Sequence, residues 1–154
     1  MKLYIKILLA LLIVFIAIQF IQPAHNISGQ VLPTDITKTV NVPDKVLDIF
    51  KNACYDCHSN NSDYPWYAYV QPVGWLLYNH IRNGKQQLNF SEFGAYSQRR
   101  QQHKLKSIAS QVNNDEMPLS SYTWIHKNAK LSKDDKALII DWAIKAKDSI
   151  GRRN

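Results

Sequence analysis

Residues 43–58 read PDKVLDIFKNACYDCH, and the fold is decided here. Val46, Leu47, Phe50 and Cys54 fall at i, i+1, i+4 and i+8, a helical stripe that runs directly into Cys57. Pro43 is tolerated in a first helical turn, and Asp44 suits the positive end of the helix dipole. The stripe predicts a helix that delivers Cys54-Tyr55-Asp56-Cys57-His58, a C-x-x-C-H string. This spacing is the attachment signature of c-type haem. Thiols three residues apart share one face and can reach the two vinyl groups along one porphyrin edge. His58, next to the second thiol, is then placed to give an imidazole nitrogen to iron as the proximal ligand. The same residues serve other chemistries. A thioredoxin-like dithiol needs a βαβ context, which the chain lacks. Zinc would need a fourth ligand, and the chain has no second C-x-x-C or H-x-x-x-H pair. A Cys54–Cys57 disulfide suits an oxidising compartment.

Downstream, the pattern stays helical. A second helix is expected from Val73 to Ile81, opened by Pro72 and followed by Gly84. A third runs from about Ser97 to Val112, with Leu105, Ile108, Ala109 and Val112 on one face. The fourth opens on the capping string Ser132-Lys133-Asp134-Asp135 and carries Leu138, Ile139, Trp142, Ala143 and Ala146 on one side. Alternating strand patterns are essentially absent. The expected fold is all-α, a single cytochrome c-like helical domain with long loops over residues 43–154.

Upstream, Leu3 to Ile21 is nineteen residues long with Lys6 its only charge, about 28 Å of helix. Residues 1–22 read as a transmembrane anchor, or alternatively as a signal sequence. Gln22-Pro23-Ala24-His25 offers no small-x-small cleavage pair, which favours the anchor. Lys2 and Lys6 hold the amino end in the cytoplasm under either reading, so the remainder is exported to the periplasmic face of the inner membrane. Residues 23–42 hold Pro23 and Pro33 among Asn, Ser, Gly and Thr, without an apolar period, and read as a flexible tether.

Composition removes further classes. Of 154 residues, two are Cys, too few for a disulfide scaffold. Five are Gly, and no G-x-G-x-x-G, P-loop, G-x-S-x-G or H-E-x-x-H string occurs. The net charge is +7. Twelve basic against six acidic residues fall between Arg99 and Asn154, which reads as a solvated face near an anionic membrane or as a steering patch for an acidic redox partner. Seven aromatics between Tyr55 and Tyr78 read as a small aromatic core lining the haem. Few cations accompany them, so no nucleic-acid partner is expected.

Iron has a second axial position, for which methionine and histidine are candidates. Apart from Met1, the only methionine is Met117, in Asn114-Asp115-Glu116-Met117-Pro118. It falls in a polar loop rather than on a packing stripe, which favours a ligand role. His80 is the alternative, since it follows Leu76 by one helical turn on the second helix. His25, His103 and His126 have polar or basic neighbours and are expected to face solvent.

A helix ending in C-x-x-C-H, a later M-P string and a capped carboxy-terminal helix resemble small class I cytochromes c. More narrowly, CYDCHSNNSDYPWYAYVQPVGWLLYNHIRNGKQQLNFSEF resembles a bacterial haem-binding domain family, with the likeness extending from about 43 to 147. The resemblance implies one covalent haem c per chain on Cys54 and Cys57, iron ligation by His58, and Met117 as the other ligand. The likeness to class I cytochromes also implies that a proline carbonyl fixes the proximal histidine, with Pro72 the candidate and Pro65 the alternative. The expected function is monohaem electron transfer by an anchored periplasmic protein that is not itself an enzyme. The alternatives are a haem peroxidase or gas sensor with a labile or open sixth site, and a module in which haem merely staples a small core.

Overall fold

The helix predicted from Val46, Leu47 and Phe50 forms as α3 (Asp44–Ala53), in a computed structural model that describes residues 2–152. Residues 1, 153 and 154, at the ends of the expected anchor and domain, lie outside the described residues. α3 buries Val46, Phe50 and Ala53, the face that the stripe marks. Cys54 leaves helical geometry at φ −128°, and the chain restarts as a single turn, α4 (Tyr55–His58). The break lets Phe50 stay in the core while Cys57 and His58 turn to a separate cleft.

Two helices precede α3: α1 (Leu3–Ile18) and the single turn α2 (Ile36–Thr39). Four more follow α4: α5 (Val73–Gln87), α6 (Gln98–Asn113), α7 (Ser120–Ile125) and α8 (Lys133–Gly151). Three 3-10 turns complete the set, at Trp66–Tyr69, Phe90–Ala95 and Lys127–Ala129. The described residues form no strand, only an isolated bridge between Ile27 and Asn61. The chain is one all-helical domain.

α6 and α8 make the most extensive helix pairing. α6 starts at the Ser97 cap, and α8 at a capping box in which Ser132 and Asp135 bond each other's backbone. Leu105, Ile108 and Val112 on α6 meet Ile139, Trp142, Ala143, Ala146 and Ile150 on α8. Leu138, expected on the buried side, is 41% exposed. At the centre, Phe50 stacks on Phe90 at 4.9 Å and takes Trp142 edge-on at 5.1 Å. Trp142 Nε1 donates to Asn41 O at 2.9 Å, tying α8 to the segment before α3.

The amino-terminal expectations need correction. α1 ends at Ile18, so the helix is about 24 Å long against a hydrocarbon core of roughly 30 Å. No helix among the described residues is long and apolar enough to cross a membrane. The reason lies in Gln19 and Gln22. Gln19 Nε2 donates to Phe15 O and Gln71 O, its Oε1 accepts from Gln71 N, and Gln22 Nε2 donates to Tyr69 O. These amides draw the chain onto the helical domain before the apolar run is finished.

The stretch 23–42, expected as a free tether, is bonded along its length. Asn26 Nδ2 donates to Ser59 O and Ser62 Oγ, and Ser28 N to Asn60 O. Asp35 caps α2, which places Ile36 and Val40 in the core. The aromatic run is also placed differently from expectation: Tyr55 packs against the core, whereas Trp66 is 79% exposed and Tyr69 half exposed.

Candidate functional site

The site is built where α5 closes on α4. A Cβ at Gly84 would lie 2.6 Å from Cys57 O, so only glycine lets the two backbones meet. Gly84 is expected beyond the end of its helix, but α5 continues to Gln87 and packs Gly84 from within the helix against Cys57. α5 thereby carries Leu88, at its C-cap, to the imidazole of His58.

His58 Nδ1 lies 2.9 Å from Leu88 O. A carbonyl only accepts, so Nδ1 carries the proton and donates, and Nε2 presents its lone pair. Burial holds the imidazole below its ordinary pKa, while the Leu88 and Gly84 carbonyls pull the other way. The ring is therefore a neutral, oriented ligand with one free nitrogen. The expected partners Pro72 and Pro65 do not fill this role. Leu88 comes from 30 residues downstream, and Asn89 N, next to it, is fixed by the Tyr96 hydroxyl at 2.9 Å.

Beside His58 opens a cleft of about 350 Å³. Cys54, Cys57, His58, His80 and Met117 all line it, so the structure brings together every residue expected at the iron and its attachment. Its walls are Ala53, Leu88, Phe90, Ile108, Val112 and Leu119, an apolar lining suited to a flat organic ring. His80 is exposed, at the mouth. Among the described residues, Lys104 on α6 is the only Lys or Arg lining the cleft; partial burial and nearby Arg100 lower its pKa.

Both cysteines are free thiols. Burial, with the neighbouring Cys57, pushes the Cys54 thiol up to about 12, and burial with Asp56 pushes Cys57 up to about 11. Reactive redox cysteines have depressed values, so the pair lacks the electrostatics of a dithiol catalyst. Among the described residues, no three His, Cys, Asp or Glu are grouped to hold a metal ion by themselves. Two neutral thiols at one side of an apolar cleft, with an oriented imidazole next to them, fit a haem edge and its iron.

Sequence reasoning missed several contributors. Tyr122 lines the cleft and donates to Asp56 Oδ2 at 2.5 Å, a contact across 66 residues that left no local signal. Burial and this bond raise the Tyr122 pKa. His126 does not face solvent freely: its Nε2 meets the Tyr67 hydroxyl at 2.5 Å and its ring stacks on Tyr122. Lys104, Ser107, Ile108 and Gln111 fall at i, i+3, i+4 and i+7 on α6, a second face that the sequence did display.

A family model described as a haem-binding domain matches residues 13–145. No curated protein and no solved structure matches the chain. The match spans the cleft, both thiols, His58 and Met117, and takes in the segment before α3 whose Ile36 and Val40 the core requires. On this match, and with a cleft that fits its ligand, the chain belongs to the haem-binding domain family and has haem as its cofactor.

Proposed function

We propose that this protein is a monohaem electron carrier, with haem attached through Cys54 and Cys57, iron held by His58 and Met117 completing the axial pair. The observation that carries the reading is convergence: four residues separated by up to 63 positions line one apolar cleft. When bound, haem supplies a one-electron redox couple. The chain's part is to fix the ring by two thioether links, orient the His58 lone pair through Leu88 O, and exclude water with Phe90, Ile108 and Val112. Thioether ligation favours ferrous iron and a higher potential than bis-His ligation. His80, exposed at the mouth, is the competing ligand. The likeness to class I cytochromes c belongs to this same reading.

Attachment of c-type haem takes place outside the bacterial cytoplasm, which supports a periplasmic location for the domain. α1, apolar around its whole circumference and without a buried residue, supports association with the inner membrane. The basic run that begins at Arg99 supports an acidic redox partner. A second reading, gas sensing or peroxidase chemistry at an open sixth site, is favoured by one feature: α7, beside Met117, buries none of its residues.

The test is chemical and spectroscopic. Protein from a host with haem-maturation machinery should keep its haem colour through a denaturing gel, and Cys54→Ala with Cys57→Ala should lose it. A low-spin spectrum with the red charge-transfer band of sulfur ligation, abolished by Met117→Ala, supports the carrier. A high-spin five-coordinate spectrum in the parent protein would refute it and favour the sensor.

A further inference from the structure

Residues 114–130 leave α6 at the cleft and return through α7 to α8, carrying Met117 on the way. Apolar packing does little to hold this strap. α7 buries no residue, and Trp124 and Ile125 are 75% and 54% exposed. At the start of the strap, Glu116 N and Met117 N donate to Gln111 O at 2.9 and 3.3 Å, and Lys136 pairs with Asp115 at the surface, where such pairs contribute little. At its far end Ala129 is fully buried.

Between these ends, two polar contacts fasten the strap. Tyr122 donates to Asp56 Oδ2 at 2.5 Å, and His126 Nε2 meets Tyr67 Oη at 2.5 Å. The Tyr122 and His126 rings stack at 4.3 Å with an interplanar angle of 12°, joining the two contacts into one unit. Asp56 is itself immobilised: Oδ1 accepts from Asp63 N at 3.0 Å, and its carbonyl accepts from Ser62 Oγ at 2.5 Å. Asp56 also stands between Cys54 and Cys57, on the turn that carries His58. Tyr122 therefore references the strap to the haem-attachment turn rather than to an outer part of the fold. Only four residues separate Met117 from Tyr122, and Pro118 removes one backbone freedom from that span.

We infer that Tyr122 is a positioning residue: its hydroxyl on Asp56 latches the strap to the C-x-x-C-H turn and thereby sets where Met117 is presented to the iron. The inference rests on the reading of Met117 as the axial sulfur. The latch also governs which proposed function operates, since a fastened strap closes the sixth position and a released one opens it to small molecules.

The experiment uses the full-length haem-loaded protein and carbon monoxide as the probe of the ferrous site. Tyr122→Phe removes only a hydroxyl, and a part-buried bond to a carboxylate is strong enough that its loss should raise the open population on the order of tenfold. Carbon monoxide should bind faster by that factor and the sulfur charge-transfer band should weaken. Asp56→Asn keeps an acceptor oxygen and should fall between Tyr122→Phe and the parent. In a Met117→Ala background, Tyr122→Phe should add little, because the site is already open. Parent-like rate and band in Tyr122→Phe overturn the latch, while Met117→Ala still tests the ligand separately. If Met117→Ala changes neither, the ligand reading falls. The latch is then decided by amide exchange over residues 114–126, which Tyr122→Phe must accelerate.

Discussion

Gly84→Ala tests whether the C-x-x-C-H turn and α5 are closed by direct backbone contact. The added methyl would sit 2.6 Å from Cys57 O and 3.2 Å from Cys57 Cβ. Ordinary contact begins near 3.4 Å, so the two backbones must part by roughly 0.8 Å. Alanine inside a helix gains about 1 kcal/mol over glycine, which opposes the loss. Overpacking costs about 1–3 kcal/mol, and a backbone oxygen that cannot swing aside belongs in the upper part of that range. The net expectation is a loss of about 1–2 kcal/mol, or roughly 2–8 °C in Tm for a chain of this length. The same parting moves Leu88, four residues on, away from His58 Nδ1, so the imidazole should loosen and the haem spectrum shift with it. Thermal unfolding followed by circular dichroism, beside the visible spectrum, reads both effects. Gly151→Ala is the control, because its new Cβ would meet only the end of the Gln102 side chain at 3.2 Å. If Gly84→Ala is as stable as the parent and keeps its spectrum, the contact does not hold the site together.

Three further substitutions probe separate parts of the fold. Lys104→Gln removes a cation lining the cleft, and should lower the haem midpoint potential by tens of millivolts on order-of-magnitude Coulomb grounds, read by potentiometric titration. Tyr55→Phe deletes a buried hydroxyl that has no hydrogen-bond partner, so stability should hold or rise by about 1 kcal/mol; a clear loss in denaturant melts would contradict this. Ser132→Ala breaks the α8 capping box and should cost about 1 kcal/mol at neutral pH. Bonds from the Ser132 hydroxyl and backbone hold the Asp135 carboxyl below its ordinary pKa, so its contribution is present above the usual carboxylate range and is lost as pH falls through the depressed value. The gap between variant and parent should narrow accordingly in acid melts.

How much of this was legible in the sequence depended on how far each signal reaches along the chain. The stripe Val46, Leu47, Phe50, the Ser132 cap and the α6 face are short-range patterns, and each became the expected helix because local geometry and burial agree there. The C-x-x-C-H string was legible for the same reason. Contacts that close the site are long-range and were not. Leu88 O displaced the expected proline because a backbone carbonyl has no residue signature; any residue at the α5 C-cap could supply it. The end of α1 was misplaced because a hydropathy run does not show that Gln19 and Gln22 have partners on Tyr69 and Gln71, some fifty residues away. Ile36 and Val40 looked like linker because two buried residues in a polar stretch produce no periodicity.

That division has a consequence for how the site assembles. Cys54, Asp56, Cys57 and His58 sit within five residues, so α4 can form its thiol pair and imidazole from local interactions. The imidazole is oriented only when α5 delivers Leu88 O, and on the proposed reading Met117 is presented only when Tyr122 is fastened to Asp56. The two long-range contacts differ in kind. Leu88 is carried by a helix packed backbone to backbone against Cys57 at Gly84, an arrangement without slack. The strap hangs on hydroxyl, imidazole and carboxylate contacts around an α7 that buries nothing. Regions with few buried apolar contacts are where local opening is cheapest. If Met117 is the second iron ligand as proposed, the His58 side of the site should therefore stay formed under conditions that release the strap, and loss of Met117 from the iron should precede loss of the fold. Such an order follows from where the apolar packing lies: the His58 ring meets Phe90, which is packed with Phe50 and Trp142 in the core, whereas α7, which follows Met117, has no buried residue.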